Sequence, residues 1–333
     1  MRILITGAAG FLGARLARRI LKKGVLAGQR VDALVLTDLV DAPADLLADP
    51  RVRSHCGPLL MQGELLGSGF DGVFHLASAV SGECEQDFDL GMRSNLDSTR
   101  FLLDGLRRSG TVSRLVFASS VAVYGPCGQQ PVPEVVSDTT LPAPQTSYGT
   151  QKLMLEYLVA DQTRKGFIDG RSARLMTVAV RPGRPNGAAS SFFSGIIREP
   201  LAGQTAVCPV SPDVRHPLAS PGNTIEGLLA VFEASQTTLG NRLALNLPGL
   251  NVSVAQMLQA LENVAGRRVR ERVHFEHDER IASIIGQWAR SARFDRAQAL
   301  GLQADASFEA IIEQYIDDCR HQSSYPADAL LGL

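Results

Sequence analysis

Apolar runs of strand length alternate with longer stretches of helical periodicity from Arg2 to Val180. The runs Arg2 to Thr6, Asp32 to Leu36, Gly72 to Leu76, Arg114 to Ala118 and Arg174 to Val180 lack the polar alternation of a half-solvated sheet, so they read as strands covered on both faces. Between them, Phe11 to Lys22, Asn95 to Arg108 and Tyr148 to Lys165 repeat apolar positions every three to four residues and read as helices. Repeated strand, helix, strand order predicts an α/β fold, a doubly wound parallel sheet. Pro126 to Ser147 is proline-rich and aperiodic, and reads as a long loop entering the last of these helices. Beyond Arg181 the pattern changes to Pro, Gly and Ser stretches broken by short periodic segments at Thr224 to Ala234, Leu243 to Leu247 and Val254 to Ala265. We expect a first domain over 1–183 and, over 184–333, a smaller α+β lobe of which some segments return to the sheet.

Composition narrows the classes. The chain has 333 residues, 45% hydrophobic and 20% charged, which excludes a disordered or low-complexity chain. A formal net charge of -1 gives no field to draw nucleic acid or an anionic membrane. No run reaches the roughly 18 apolar residues of a membrane span. The short apolar start is followed at once by Arg15, Arg18, Arg19 and Lys22, against a secretory leader. Five cysteines, odd in number and without CxxC spacing, suit reduced thiols in the cytoplasm. The histidines show no metal-ligand spacing, and no catalytic metal is expected.

Gly7, Gly10 and Gly13 stand between the first strand and the first helix. The first glycine permits a tight turn, the second lets backbone approach a pyrophosphate, and the third lets helix pack on strand. The helix start then offers unpaired N–H groups and partial positive charge to phosphates. Asp38 ends the second strand, where a carboxylate accepts from ribose hydroxyls and repels a 2′-phosphate. Leu39 and Val40 follow it, with no Arg to receive that phosphate, so NAD is expected over NADP.

Tyr148 and Lys152 are four apart on a predicted helix and share a face. An adjacent ammonium, with the positive ring of oxidised NAD, stabilises a phenolate and brings a poor base nearer to working pH. Ser119 and Ser120 end the strand before them, at the sheet edge where α/β folds bind ligands; a serine there either polarises the reacting oxygen or caps the next turn.

With these residues in place the chain resembles the extended short-chain dehydrogenase/reductases, a family of Rossmann fold that includes nucleotide-sugar epimerases and uronate dehydrogenases. The resemblance rests on ITGAAGFLG, FHLAS at 74–78, the Asn of RSNLDSTR, SSVAVYG at 119–125, SYGTQK at 147–152 and VRPG at 180–183. It implies Tyr148 as acid/base, Lys152 on the nicotinamide ribose, Ser120 on the substrate oxygen with Ser119 as its substitute, and Asn95 as support. The same segments imply that Gly7, Gly10, Phe11, Leu12, Gly13, Leu76, Ala77, Ser78 and Pro182 line the cofactor. Within the family, HLASAVSGECEQDFDLGMRSN, PQTSYGTQK and RPGRPNGAASSFFSGIIREPLAG resemble the members that oxidise the C2 hydroxyl of D-erythronate with NAD. Two departures stand out. Cys56, Gly57 and Pro58 replace the usual Asp near the adenine, and Arg215, His216 and Pro217 replace the epimerase pattern of the sugar-nucleotide lobe.

A sugar acid requires one cationic donor and several small polar groups. The candidates are Ser78, Asn186, Ser191 and, for the carboxylate, Arg215. The resemblance also implies a homodimer paired through Asn95 to Arg108 and Tyr148 to Lys165. A nucleotide-sugar epimerase, a uronate dehydrogenase and, from another class, a non-catalytic NAD sensor stay open as alternatives.

Overall fold

The computed structural model describes residues 1–183, 188–321 and 325–333. Its strands are β1 (Arg2–Thr6), β2 (Ala33–Asp38), β3 (Val52–Cys56), β4 (Gly72–His75), β5 (Arg114–Ser120) and β6 (Asp169–Leu175), then β7 (Thr177–Val178), β8 (Arg215–Ala219), β9 (Leu245–Asn246) and β10 (Leu250–Ser253). The seven-stranded sheet runs β9, β6, β5, β4, β1, β2, β3, and every pair is parallel. Strand order reverses between β1 and β4, which opens a ligand crevice at the carboxyl ends of those strands. This is a Rossmann doubly wound sheet. A second, three-stranded sheet runs β7, β8, β10.

The helices are α1 (Phe11–Lys23), α2 (Ser81–Gln86), α3 (Ser98–Arg108), α4 (Ser147–Arg164), α5 (Ser191–Leu201) and α6 (Pro221–Glu233), with α7 (Phe308–His321) near the end. Alternation along each strand divides the core. Ile3, Ile5, Phe74 and Val116 meet Leu16, Ile20, Leu228 and Phe232 of α1 and α6. Leu4, Val73, Leu115 and Phe117 meet Leu102, Leu106, Leu155 and Val159 of α3 and α4 on the other side. Phe232 stacks on Phe74 at 4.9 Å, and a Cβ on Gly72 would lie 2.6 Å from its ring, so a strand glycine makes room for an aromatic anchor. Burial of such a ring contributes about 2–3 kcal/mol. The second lobe has its own core around Phe193, Ile197, Leu261 and Ile312.

Three elements differ from the sequence reading. The strand expected at Arg174 starts at Asp169, because the buried Arg171 and Arg174 are neutralised by Asp169 and Glu156 and so disguise it as polar. Strand β3, with sequence VRSHC, was not anticipated; it pairs only with β2, and such an edge tolerates polar residues. The helix expected from Asn95 begins as a π turn over Met92–Asp97 before α3.

Candidate active site

Gly7 leaves β1 with φ +69, and a Cβ there would stand 2.7 Å from the Ala77 nitrogen. At Gly13 a Cβ would fall 2.0 Å from the Gly7 carbonyl oxygen, whereas at Gly10 the nearest atom is that same oxygen at 3.3 Å. Gly7 and Gly13 therefore hold the loop shut upon itself, and Gly10 is the exposed glycine facing outward. No side chain caps α1 and its first turn has no acidic residue, so the N–H groups at Phe11 and Leu12 stay free of intrahelical partners. Asp38 accepts from the Ala9 N–H at 2.9 Å and the Leu39 N–H at 2.6 Å, which ties the end of β2 to the loop. Pro182 and Gly183 line one groove of about 240 Å³ with Ala9, Phe11, Arg15 and Tyr325. These features fit a dinucleotide: a loop in which two glycines leave no room for a Cβ, an uncapped helix start and a carboxylate at the second strand's end.

The catalytic candidates gather at the tip of β5. Thr146 caps α4 by accepting from the Gly149 N–H at 3.0 Å, and Glu85 accepts from the Ser147 N–H at 2.7 Å. A Cβ at Gly149 would lie 2.2 Å from the Ala122 oxygen, so this glycine lets the first turn of α4 close on the strand tip. Tyr148 is thereby brought within hydrogen-bonding reach of Ser120 and Ser78. Ser120 Oγ also accepts from the Ala122 N–H at 3.1 Å and so caps the next turn. Ser119 turns the opposite way and donates to Glu156 at 2.5 Å.

Lys152 is buried, donates to the Ala118 carbonyl at 2.9 Å and holds Nζ 5.4 Å from the centre of the Tyr148 ring. Burial draws its pKa down to about 8. Burial also pushes the Tyr148 phenol up to about 12, against the pull of its bonds to Ser120 and Ser78. The ammonium meets the ring face and gives its hydrogen bond to a carbonyl.

Asn95 projects from the π turn, a feature common at functional sites. Its Oδ1 accepts from the Ala79 N–H at 2.7 Å and Ser78 Oγ at 3.0 Å, and its Nδ2 donates to Gln151 at 2.7 Å and Cys84 Sγ at 3.3 Å. The loop after β4 is so joined to α4. Behind it, Thr99 gives its one hydroxyl proton to the Asn95 carbonyl at 2.6 Å. It must then accept from His75 Nε2 at 2.7 Å, leaving Nδ1 to accept from Thr6 at 2.6 Å. Burial, with Lys152 nearby, holds His75 down at about 3, so the ring is neutral.

Sequence reasoning missed Gln151, Cys84, Thr99 and Glu156. A polar residue at i+3 or i+8 from Tyr148 was the available signal. Of the substrate candidates, Ser78 touches Tyr148, and Ser191 opens α5, where Ser194 accepts from the Arg181 N–H at 3.1 Å. Asn186 lies outside the described residues. Arg215 lies in the second sheet. It is exposed and begins β8 three residues before Leu218, the partner of Thr177, so it stands at the opposite end of that sheet from Arg181. The registry of β8 with β7 imposes this. Among the described residues no cluster of His, Cys, Asp and Glu is arranged to hold a metal ion, and no helix is long and apolar enough to cross a membrane.

Known proteins agree with this geometry. The profile of the NAD dependent epimerase/dehydratase family matches residues 3–241. The chain is 48% identical over 323 residues to a D-erythronate dehydrogenase of Cupriavidus necator, spanning 96% of this chain and 98% of that protein. It is 41% identical to a D-erythronate dehydrogenase of Haemophilus influenzae over 95% of this chain and 99% of that one. The crystal structure of a nucleoside-diphosphate-sugar epimerase from Agrobacterium tumefaciens superposes with a TM-score of 0.88 at 41% identity, covering 96% and 94% of the two chains.

Proposed function

The chain belongs to the NAD-dependent epimerase/dehydratase family, and from that premise we propose that it oxidises the C2 hydroxyl of D-erythronate to 2-dehydro-D-erythronate. The observation that carries the reading is the convergence of Ser120 and Ser78 on the Tyr148 hydroxyl, with Lys152 one turn away. The glycine loop, Asp38 and Pro182 hold the cofactor. Bound NAD supplies the hydride acceptor and, when oxidised, a positive charge. Ser120 donates to the C2 oxygen and orients it. Tyr148 takes the hydroxyl proton as the C2 carbon gives up its hydride, and the 2-oxo acid, NADH and one proton result. Lys152 stabilises the phenolate. Asn95 fixes Ser78 and the backbone at Ala79, so the pocket wall does not drift from Tyr148.

The substrate carboxylate needs a cation. Arg181 is half-buried, has no side-chain acceptor among the described residues and is held below the usual arginine range by burial and by Arg198 beside it. An anion would relieve both costs, which supports Arg181 over the exposed Arg215. Phe88, Met154 and Tyr157 are exposed apolar residues on or beside α4, which supports a homodimer through the α3 and α4 face, and chromatography of the purified protein tests it. Five free cysteines suit a cytoplasmic setting.

A second reading follows from the Agrobacterium structure's name: epimerisation of a nucleotide sugar without net NADH. The test is NADH formation with NAD and, in turn, D-erythronate, L-threonate, D-glucuronate and a uridine-diphosphate sugar. Turnover of D-erythronate supports the first reading; an epimerised nucleotide sugar without NADH replaces it with the second.

A further inference from the structure

We infer that Glu156 is a positioning residue of the reacting centre, fixing the tip of β5 against α4 and keeping a negative charge one helical turn beyond Lys152. The inference rests on the dehydrogenase reading above. Three consecutive residues at the end of β5 are each tied to α4. The Ala118 carbonyl accepts from Lys152 at 2.9 Å, Ser119 donates to Glu156 at 2.5 Å, and Ser120 faces Tyr148. Positions 148, 152 and 156 are four apart and share one face of the helix. Strand tip and helix therefore interlock at three points, and Glu156 is the point farthest from substrate.

Glu156 is itself anchored. Ser119 lies directly opposite Arg174 in the register of β5 with β6, and Arg174 donates to Glu156 at 2.9 Å and 2.6 Å. Arg174 also donates to the Tyr124 hydroxyl at 2.6 Å, which faces the Asn246 side chain at 2.9 Å. Glu156 and Arg174 are both nearly fully buried. A single hydroxyl tie at Ser119 thus connects two paired strands, a helix and the strand added from residue 246.

The charged and titratable groups around Glu156 and Arg174 are Tyr148 and Lys152 on α4, Cys84 on α2, His75 on β4, Tyr124 in the loop after β5, and, beyond it, Asp138 and Arg296. His75 is neutral, and burial keeps the Cys84 thiol protonated. Glu156 opposes the burial that strips Lys152 of its proton. Removing its charge leaves Arg174 uncompensated, so Lys152 and Tyr148 both release protons at lower pH.

The test compares Glu156→Gln with the unaltered enzyme, recording kcat/KM for D-erythronate against pH. Both limbs of the profile should move to lower pH by about half a unit or more. Lowered turnover with both limbs in place would reduce Glu156 to a structural residue and overturn the inference. Should that variant fail to fold, Ser119→Ala keeps every charge and cuts only the tie; kcat should fall with the limbs unmoved, and an unchanged kcat would overturn the positioning role. The tyrosinate difference spectrum between each protein and its Tyr148→Phe counterpart, with NAD present, needs no substrate. Its midpoint should fall in Glu156→Gln, and an unmoved midpoint counts against the inference even where D-erythronate itself proves not to be the substrate.

Discussion

Lys152 stands one turn beyond Tyr148 with its ammonium 5.4 Å from the centre of the tyrosine ring, yet gives its hydrogen bond to Ala118. The lysine thus acts on the phenol through space, and only while it is charged. With the lysine near 8 and the phenol near 12, the form carrying both charges builds up to about pH 8 and then levels off, so NADH formation should rise to about that pH and flatten. Tyr148→Phe should reduce kcat by a factor of about 10²–10⁴ and leave NAD binding within about twofold by titration calorimetry. Retained turnover would remove Tyr148 as the base.

The two glycines of the loop should fail differently. Gly13→Ala meets the Gly7 carbonyl and should lower the melting temperature and abolish NAD binding together. Gly10→Ala meets the same oxygen at a milder 3.3 Å, so it should melt closer to the parent than Gly13→Ala while binding NAD more weakly. Equal loss of stability in both would show that the outward face of Gly10 is not the ligand face.

Asp38 faces solvent on one side and the loop on the other. Asp38→Asn retains an acceptor for the Ala9 N–H and loses the charge, so KM for NAD should rise while that for NADP falls. An unaltered NAD to NADP ratio would sink this assignment.

Arg181→Met should raise KM for D-erythronate at least about tenfold, the size of one lost charged hydrogen bond, while Arg215→Met leaves it unchanged. The reverse pattern would restore Arg215 as the carboxylate partner.

Acid should destabilise the fold through two histidines. His216, stacked on Phe193 and bonded to Thr177 and the Ala289 carbonyl, is held by burial at about 4, and His75 at about 3. Both lie below the ordinary value of 6.5. The unfolded chain therefore binds these protons first, and stability present above pH 6.5 is lost as pH falls toward those values, by at most about 1.4 kcal/mol per unit per histidine. Urea midpoints against pH should show a shallower acid slope in His216→Phe, and an equal slope would exclude His216.

Much of this was legible in the sequence because it depends on local rules. Gly7 and Gly13 mark a turn whose geometry only glycine satisfies, with Gly10 on its outward face, and Tyr148 with Lys152 shares a face by helix periodicity alone. What escaped depends on partners remote in the chain. Arg171 and Arg174 look like solvent residues until Asp169 and Glu156 are brought to them. The direction of Ser119 against Ser120 follows from the alternation of β5, which the expected strand, ended at Ala118, did not reach. Arg215 is apt by charge, whereas the burial of Arg181 beside Arg198 shows only once α5 is packed against it.

Among the described residues, the outer edge of β6 pairs with Leu245–Asn246, and earlier in the sequence only the Gln236 side chain reaches it, at the Gly170 carbonyl. A ribosome that has released every catalytic residue has therefore not yet released the strand that seals the sheet beside them. Until residue 245 emerges, the nascent chain carries a bare row of backbone donors and acceptors next to Arg174, the site at which another unfinished chain would pair. The second lobe thus supplies the strand that covers the first.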